Sequence, residues 1–381
     1  MSGVTVTVPT PTAKRKRAQG QSQFSVAWSQ FRKNRLAQMG GGLLILLYLM
    51  ALLAPFLAPA GLSTYSTSNI TRFHPPTPVH FRDPETGAFG RPFVYKYGQK
   101  FNEETFVNEF GPTGEKCPLY WGVRGDSYRI LGLFPGNIHL FGTGNPDCNV
   151  YLLGAEDLGR DLLSRTLYAS QISLTIGLAA VVITTVIGLF MGAMAAYFGG
   201  IVDTVIMRFV EVLASIPTLF LLLMLRSVFP KDINPILALY VILGILAFIG
   251  WGGLARTTRG QLMSVREQDF VSAAKSLGAS DNRIMIRHML PTMTTYVIVT
   301  TSLAIPGYIL LESGLSFLGI GAVEPYASWG SLLKLAQDGG LSSLNQRPWV
   351  LAPGFFIVFT VMCFQLLGDG LRDAFDPRKR S

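Results

Sequence analysis

Apolar residues run almost unbroken through several stretches of this chain, and polar residues gather between them. Six of the stretches approach or exceed the roughly 20 residues that a helix needs to cross the hydrocarbon core of a bilayer. They cover 37–58, 170–197, 204–225, 235–252, 292–318 and 349–367. The pattern predicts an all-α integral membrane protein with six transmembrane helices. Only Gly199-Gly200 separates the second and third closely, and the fourth run is short. Pro217 and Pro306 fall inside the third and fifth runs, where a missing N–H invites a kink.

Residues 61–168 lie between the first two runs. The segment is too long for a turn and rich in aromatics, so it predicts a folded insertion. Within it, "HFRDPETGAFGRPFVYKYG" (80–98) reads as two extended runs around Pro84-Glu85-Thr86-Gly87, which predicts β-structure. Cys117 and Cys148 also lie there, while Cys363 sits in the last apolar run as a small buried residue. An external position permits a Cys117–Cys148 bridge, worth on the order of 3–4 kcal/mol by the chain-entropy account. A metal site joining these thiols to His74, His80 or His139 lacks a close ligand pair such as Cys-x-x-Cys.

Composition agrees with the pattern. The 381 residues are 49% hydrophobic and 14% charged, with a mean hydropathy of +0.37; soluble domains carry about 25% charge. The net charge of +9 comes from Lys and Arg at the ends of apolar runs, not gathered on one soluble face, so it does not predict nucleic-acid binding. Basic residues cluster at Lys14, Arg15, Lys16, Arg17, Arg32, Lys33 and Arg35, again from Arg256 to Arg287, and last at Arg372, Arg378, Lys379 and Arg380. With six spans all three clusters share one side, so both termini and the 253–291 loop are expected in the cytoplasm. Ala58-Pro59-Ala60 offers small residues for signal cleavage, but the run is long and follows a long polar tail, which predicts a retained anchor. Ahead of it Phe24, Ala27, Trp28 and Phe31 share a helical face, as in an interfacial amphipathic helix; the alternative is a disordered linker.

No catalytic constellation emerges. The four histidines (His74, His80, His139, His288) are scattered, and neither GxSxG nor GxxxxGK[ST] occurs. The chain is expected to be no enzyme and to hold no cofactor or metal of its own. The polar stretch "SAAKSLGASDNRIMIRHMLP" (272–291) therefore stands out. Asp269 is placed to cap a helix over 269–279, and Gly278 to allow a turn or a close backbone approach. A second helical piece, 282–289, leads to Pro291 in the first turn of the next span, where a missing N–H costs nothing. Local physics leaves two readings: a lever moved by a soluble partner, or a solvated connector.

That stretch resembles the EAA loop of ABC importer permeases: Glu-Ala-Ala, three residues, Gly, nine residues, then Ile-x-Leu-Pro. Ala273, Ala274, Gly278, Leu290 and Pro291 match, whereas Ser272 stands for the usual Glu and His288 for the usual Ile. Four further stretches resemble dipeptide/oligopeptide (DppC/OppC-like) permeases of the second-subunit type. They are "FRKNRLAQMGGGLLILLYLMALLAPFLAP" (31–59), "DLGRDLLSRTLYASQISLTIGL" (157–178), "LESGLSFLGIGAVEPYASWGSLL" (311–333) and "LGDGLRDAFDP" (367–377). "HFRDPETGAFGRPFVY" and "YRILGLFPGNIHLFG" resemble the enlarged external loop of a subset of these permeases. The resemblance implies a division into a cytoplasmic tail (1–36), a first transmembrane helix (37–60), the insertion (61–168), an ABC type-1 permease domain (169–369) and a second tail (370–381). It also implies a coupling helix docked on an ATP-hydrolysing subunit, with ATP and Mg used by that subunit. A second homologous permease and an external substrate-binding protein complete the implied set, in a bacterial or archaeal cytoplasmic membrane. The implied cargo is a dipeptide or oligopeptide; a nickel chelate, glutathione or an oligosaccharide would suit the same architecture. A membrane receptor built on the insertion, or an ion-driven transporter, fits the coupling loop and the few intramembrane charges less well.

Ionisable groups within spans invite functional readings. Glu312 either pairs structurally, lines a pathway or gate, or sits at a helix break near Pro306. Glu211 is expected to pair with Arg208, and Gly188 with Gly192 to allow close helix packing. Asp157, Arg160 and Asp161 either brace an external gate or cap a helix, with Asp161 supporting Arg165 one turn on.

Overall fold

A short amphipathic helix opens the structure. In this computed structural model, residues 23–64, 71–82, 87, 89–103, 107–145, 147–230, 234–338 and 344–376 are described. The Lys14–Arg17 and Arg378–Arg380 clusters, the 84–86 turn residues and the side chain of Phe24 lie outside that set. Helix α1 (Gln23–Phe31) is continuous, so the linker alternative does not hold. Its Ala27 is buried against Ala374 and Phe375 near the other end of the chain. Trp28 stays exposed, with the Arg32 guanidinium 5.4 Å above its ring.

Asn34 then caps α2 (Arg35–Leu52), accepting from the Ala37 N–H at 3.1 Å. The first apolar run does not stay one helix: α2 stops at Leu52, and α3 (Ala54–Leu57) continues it after a break. The insertion follows. Strands β1 (His80–Arg82), β2 (Phe89–Asn102) and β3 (Val107–Pro118) form an antiparallel sheet in that order. Strands β4 (Tyr120–Ile130) and β5 (Phe134–Gly142) form a separate hairpin. A disulfide joins Cys117 to Cys148 beside buried Val94 and Val150. The hairpin is pinned to the end of the first span: His139 Nδ1 meets the Ala58 carbonyl at 2.5 Å, and the Gly61 N–H donates to Asp126 at 2.8 Å.

Helix α4 (Leu162–Phe198) begins well before its apolar run, capped by Asp161. A turn at Gly199 leads into α5 (Gly200–Ser215). The third apolar run is not one straight helix. It breaks into α5 and α6 (Thr218–Ser227), bent by 93°. Pro217 supplies the cause: it has no N–H to donate and holds the preceding residue out of the helical region, with Ile216 at ψ 128. Helix α7 (Pro235–Arg266), α8 (Asp269–Ser276) and α9 (Asp281–Arg283) come next. A π segment (Ile284–Met289) and a 3-10 turn (Leu290–Met293) then wind directly into α10 (Thr294–Phe317), inside which Pro306 sits without interrupting the helix. Helices α11 (Trp329–Asp338) and α12 (Ala352–Phe375) close the chain. Among the described residues five helical stretches are long and apolar enough to cross a membrane, or six if the bent α5–α6 pair is one span.

The core is organised around α4. Its Gly188–Gly192 face lets α7 approach so closely that a Cβ at Gly192 would stand 2.5 Å from the Ala255 carbonyl oxygen. On its other flanks α4 packs against α10 through Leu174, Ile305 and Ile309, and the same cluster reaches α2 and α12 through Leu44, Leu47, Ile357 and Phe364.

Candidate functional site

Helix α8 is seated across the ends of α4, α7 and α10. The apolar run in α7 ends near residue 252, but the helix continues to Arg266. At 1.5 Å per residue its last turns extend about 20 Å beyond that run. Several contacts fix this end. Arg266 donates to the Ala196 and Tyr197 carbonyls at 3.1 and 3.3 Å, satisfying orphan acceptors at the end of α4. The Tyr197 hydroxyl donates to Asp281 at 2.5 Å, and Arg259 pairs with Asp203 at the start of α5.

Within this frame Val271 and Ala274 of α8 turn inward onto Ala193, Ala196, Leu262, Ile284, Met289 and Met293. Ser272, Ala273 and Lys275 face outward. Phe270 is 40% and Leu277 87% exposed, and with Ala273 they make an apolar stripe at helical spacing on an otherwise polar helix. Asp269 does not cap α8; Gln268 takes the extended cap position without a side-chain bond, and Asp269 sits in the first turn, favourable to the helix dipole. Gly278 ends the helix at φ +76. Its N–H donates to Lys275 O at 3.0 Å and the Ala279 N–H to Ala274 O at 3.1 Å, the paired bonds of a left-handed helix stop. Nothing lies within 4 Å of a Cβ built on Gly278, so that side of the turn is open. His288 and Leu290 are half-buried in the joint between α9 and α10, and Pro291 is exposed in its 3-10 turn. Among the loop residues that the resemblance singles out, Ala274 is buried and Leu290 packs against the same cluster; Phe270, which that resemblance does not include, belongs to the outer face. Its i, i+3, i+7 spacing to Ala273 and Leu277 was the available signal.

At the opposite end of the bundle the start of α4 meets the loop between α10 and α11. Arg160 holds Glu324 with two bonds, 2.7 and 2.9 Å, and also pairs with Glu156. Arg165 donates to Glu324 at 2.9 Å and to the Pro325 carbonyl at 2.7 Å, with Glu156 3.5 Å away. Arg165 thus pairs with Glu324 and Glu156, not with Asp161 one turn before it. Burial alone would raise the Glu324 carboxyl, but the two guanidiniums outweigh it and hold the group below its usual value. Asp157 stays partly exposed, and burial raises it.

Asp161 is buried and accepts from the Ser164 N–H and Oγ at 2.7 and 2.6 Å; its second oxygen has no partner among the described residues. Burial pushes its carboxyl up to about 6. Removal from water is the cause, so the ionised form is unfavourable here. The folded state therefore binds this proton more tightly than the unfolded chain does. The penalty is full above about 6 and is relieved as pH falls toward the ordinary 3.8. Asp161→Asn keeps a capping oxygen and removes the charge. It should stabilise the chain by on the order of 1–3 kcal/mol near neutral pH and lose that advantage near pH 4. Thermal unfolding of the solubilised protein at both pH values checks this, and equal shifts at both would refute it.

Glu312 lies deep in α10 and is fully buried within the chain. It accepts from Ser316 at 2.7 Å and Ser173 of α4 at 3.2 Å. Ser173 in turn accepts from the Trp329 N–H at 3.1 Å, and the Trp329 indole donates to the Thr166 carbonyl at 3.1 Å. The carboxylate thus ties α4, α10 and α11 together. Nearer α8, Thr184, Thr257, Tyr296, Thr300 and Tyr308 line a cleft of about 250 Å³ between α4, α7 and α10. Arg208 and Glu211 form an exposed pair at 2.7 Å.

Residues 185–381 match the family model described as binding-protein-dependent transport system inner membrane component. Residues 22–76 match that of the N-terminal TM domain of oligopeptide transport permease C. The oligopeptide transport system permease protein OppC of Haemophilus influenzae is 41% identical over 231 residues, 60% of this chain and 71% of that protein. The OppC protein of Bacillus subtilis is 37% identical over 243 residues, 64% of this chain and 76% of its own length. The dipeptide transport system permease protein DppC of Bacillus subtilis is 31% identical over 355 residues, 93% of this chain and 85% of that protein. That last match is long enough to run through the insertion. A solved structure titled as inward-facing conformations of the MetNI methionine ABC transporter covers 55% of this chain and 96% of its own at 18% identity, with a TM-score of 0.41.

Proposed function

The chain belongs to the family of binding-protein-dependent transport system inner membrane components, and on that premise we propose that it is a pathway-forming subunit of an ATP-driven importer of dipeptides or oligopeptides. The observation that carries this reading is the outward apolar stripe of α8, held about 20 Å beyond the membrane-length apolar run of α7. Phe270 and Leu277 face away from the α4, α7 and α10 ends that hold α8, so they call for a protein partner, and a separate ATP-hydrolysing subunit is the partner the family supplies. This chain performs no chemistry and binds no cofactor; ATP and Mg belong to that subunit. A second homologous permease completes the pathway, and an external binding protein delivers cargo. Both chain termini and α8 are cytoplasmic.

Mechanically, α8 is seated on the ends of α4 and α7 by Val271 and Ala274 and runs without a loose linker into α10. A displacement imposed on α8 as ATP-binding subunits close therefore reaches α10. From there Glu312 passes it to Ser173 and Trp329, and the Glu324 clamp on Arg160 and Arg165 is its last point of purchase on α4. The hydroxyl-lined cleft beside Thr184 and Tyr308 suits peptide cargo, because hydroxyls can both donate to and accept from amide groups of any sequence.

Uptake into proteoliposomes containing the complete complex tests the reading. Labelled dipeptides and tetrapeptides are expected to accumulate with ATP and binding protein, and not with an ion gradient alone. Competition by a nickel chelate, glutathione or an oligosaccharide, with no competition by peptides, would move the cargo to one of those classes. Uptake driven by an ion gradient without ATP would overturn the proposal itself.

A further inference from the structure

The β4–β5 hairpin runs beside the outer ends of the first span and α4. Its base and its far end share cavities with successive levels of the spans. Val123 and Arg124 line one cavity together with Pro59, Ala60 and Asp161, above the first turn of α4. Ser127, Tyr128 and Arg129 line a second, of about 520 Å³, together with Pro55, Gln171, Ile172 and Leu239. As β4 advances from residue 123 to 129, its neighbours in α4 move from 161 to 172, while Pro55 and residues 61–64 share the wall of the second cavity. β4 and α4 thus progress together from the loop into the apolar run. Arg129 is already level with the first turns of the α4 and α7 apolar runs, and at about 3.4 Å per residue the tip extends roughly 10 Å further.

The tip has the composition of a membrane-facing element. Leu131, Leu133 and Phe134 are 68, 74 and 64% exposed. The Leu133 N–H donates to Ile130 O at 3.1 Å around Leu131 and Gly132, which have φ +52 and +71. Such a turn is ordinarily Asn-Gly or Asp-Gly, since a branched apolar residue at positive φ is strained. Leucine here gains nothing within the chain, neither a relaxed backbone nor burial. With Leu133 and Phe134 beside it, its side chain is suited to an apolar environment outside the chain.

We propose that the hairpin tip inserts into the glycerophospholipid bilayer on the insertion side. Leu131, Leu133 and Phe134 reach the upper acyl region, and Arg129 stands at phosphate level, the arrangement by which amphipathic elements anchor at a membrane interface. Two membrane contacts, the first span and this tip, then fix the insertion's orientation over the mouth of the bundle. Lipid is favoured over a protein partner because the tip continues the surface of spans that are themselves embedded.

Spin labels at Leu133→Cys and Trp121→Cys, in the full chain in phospholipid nanodiscs, test this. Both sites are exposed, at 74 and 75%, so neither substitution threatens the fold. Cys363 is buried and the other two cysteines are paired, which leaves the introduced thiol as the accessible one. At position 133 relaxation by oxygen, which partitions into lipid, should exceed relaxation by a water-soluble nickel chelate several-fold; at 121 the order should reverse. Equal, water-like accessibility at both sites would overturn the proposal. So would a label at 133 shielded from both reagents, which would place the tip against protein.

Discussion

Leu277→Glu is expected to leave the chain folded and membrane-inserted while reducing ATP-driven uptake at least tenfold. The side chain is 87% exposed and follows the last residue of α8, so its loss removes no internal packing. Burying a leucine at an interface is worth about 1.5–3 kcal/mol, and a buried unpaired carboxylate adds a further cost. A combined loss of about 2 kcal/mol weakens docking roughly thirtyfold. The check is uptake by the purified complex, alongside co-purification of the ATP-hydrolysing subunit and its ATPase activity. Reduced docking, or docking with ATPase no longer stimulated by loaded binding protein, fits a coupling surface. Normal uptake would remove α8 from that role. Gly278→Asp probes the open side of the same turn, but its positive φ mixes backbone strain with docking, so Leu277→Glu is the cleaner variant.

Arg165→Met should destabilise the chain by about 3–5 kcal/mol, the usual consequence of removing one partner from a buried ionic network. Its side chain is 2% exposed and Glu156 is 1% exposed, so Glu156 would be left with Arg160 alone and half of the Glu324 clamp would open. Thermal midpoints in detergent measure the loss. The double variant Arg165→Met/Glu156→Gln separates charge from packing, since removing the stranded carboxylate should recover a substantial part of the stability. A single variant as stable as the parent, or a double variant no better than the single, would refute this account.

Hydropathy located the spans because run length and bilayer thickness are the same physical quantity read twice. It failed where packing, rather than lipid, sets the helix. The start of α4 is too polar to score as a span, yet Ser164, Arg165 and Thr166 are all buried against protein. The carboxylate that Arg165 bonds, Glu324, lies far along the chain, beyond the reach of any local window. The α5–α6 bend was legible for a different reason: its residues are apolar throughout, so hydropathy passes over it, but Pro217 marks the place, whereas Pro306 leaves α10 unbroken. In the α8 loop, spacing identified the helix and its glycine stop. It could not tell Ala273 from Ala274, one facing out and the other in, because that choice depends on which side α4 and α7 approach. A polar residue in the right place likewise suggested Asp269 as the cap, whereas the extended residue is Gln268.

The Cys117–Cys148 bridge, 31 residues apart and wholly ahead of α4, also sets an order on biosynthesis. Disulfides close in oxidising compartments, so these thiols pair only once the insertion has reached one. Chains mature from the N-terminus as they emerge, and at that moment Glu324 has not been translated. Arg160 and Arg165 therefore reach their places at the head of α4 sharing the single carboxylate of Glu156, and the second waits for the loop after α10. The clamp that joins the head of α4 to the loop after α10 is complete only once most of the chain has been made.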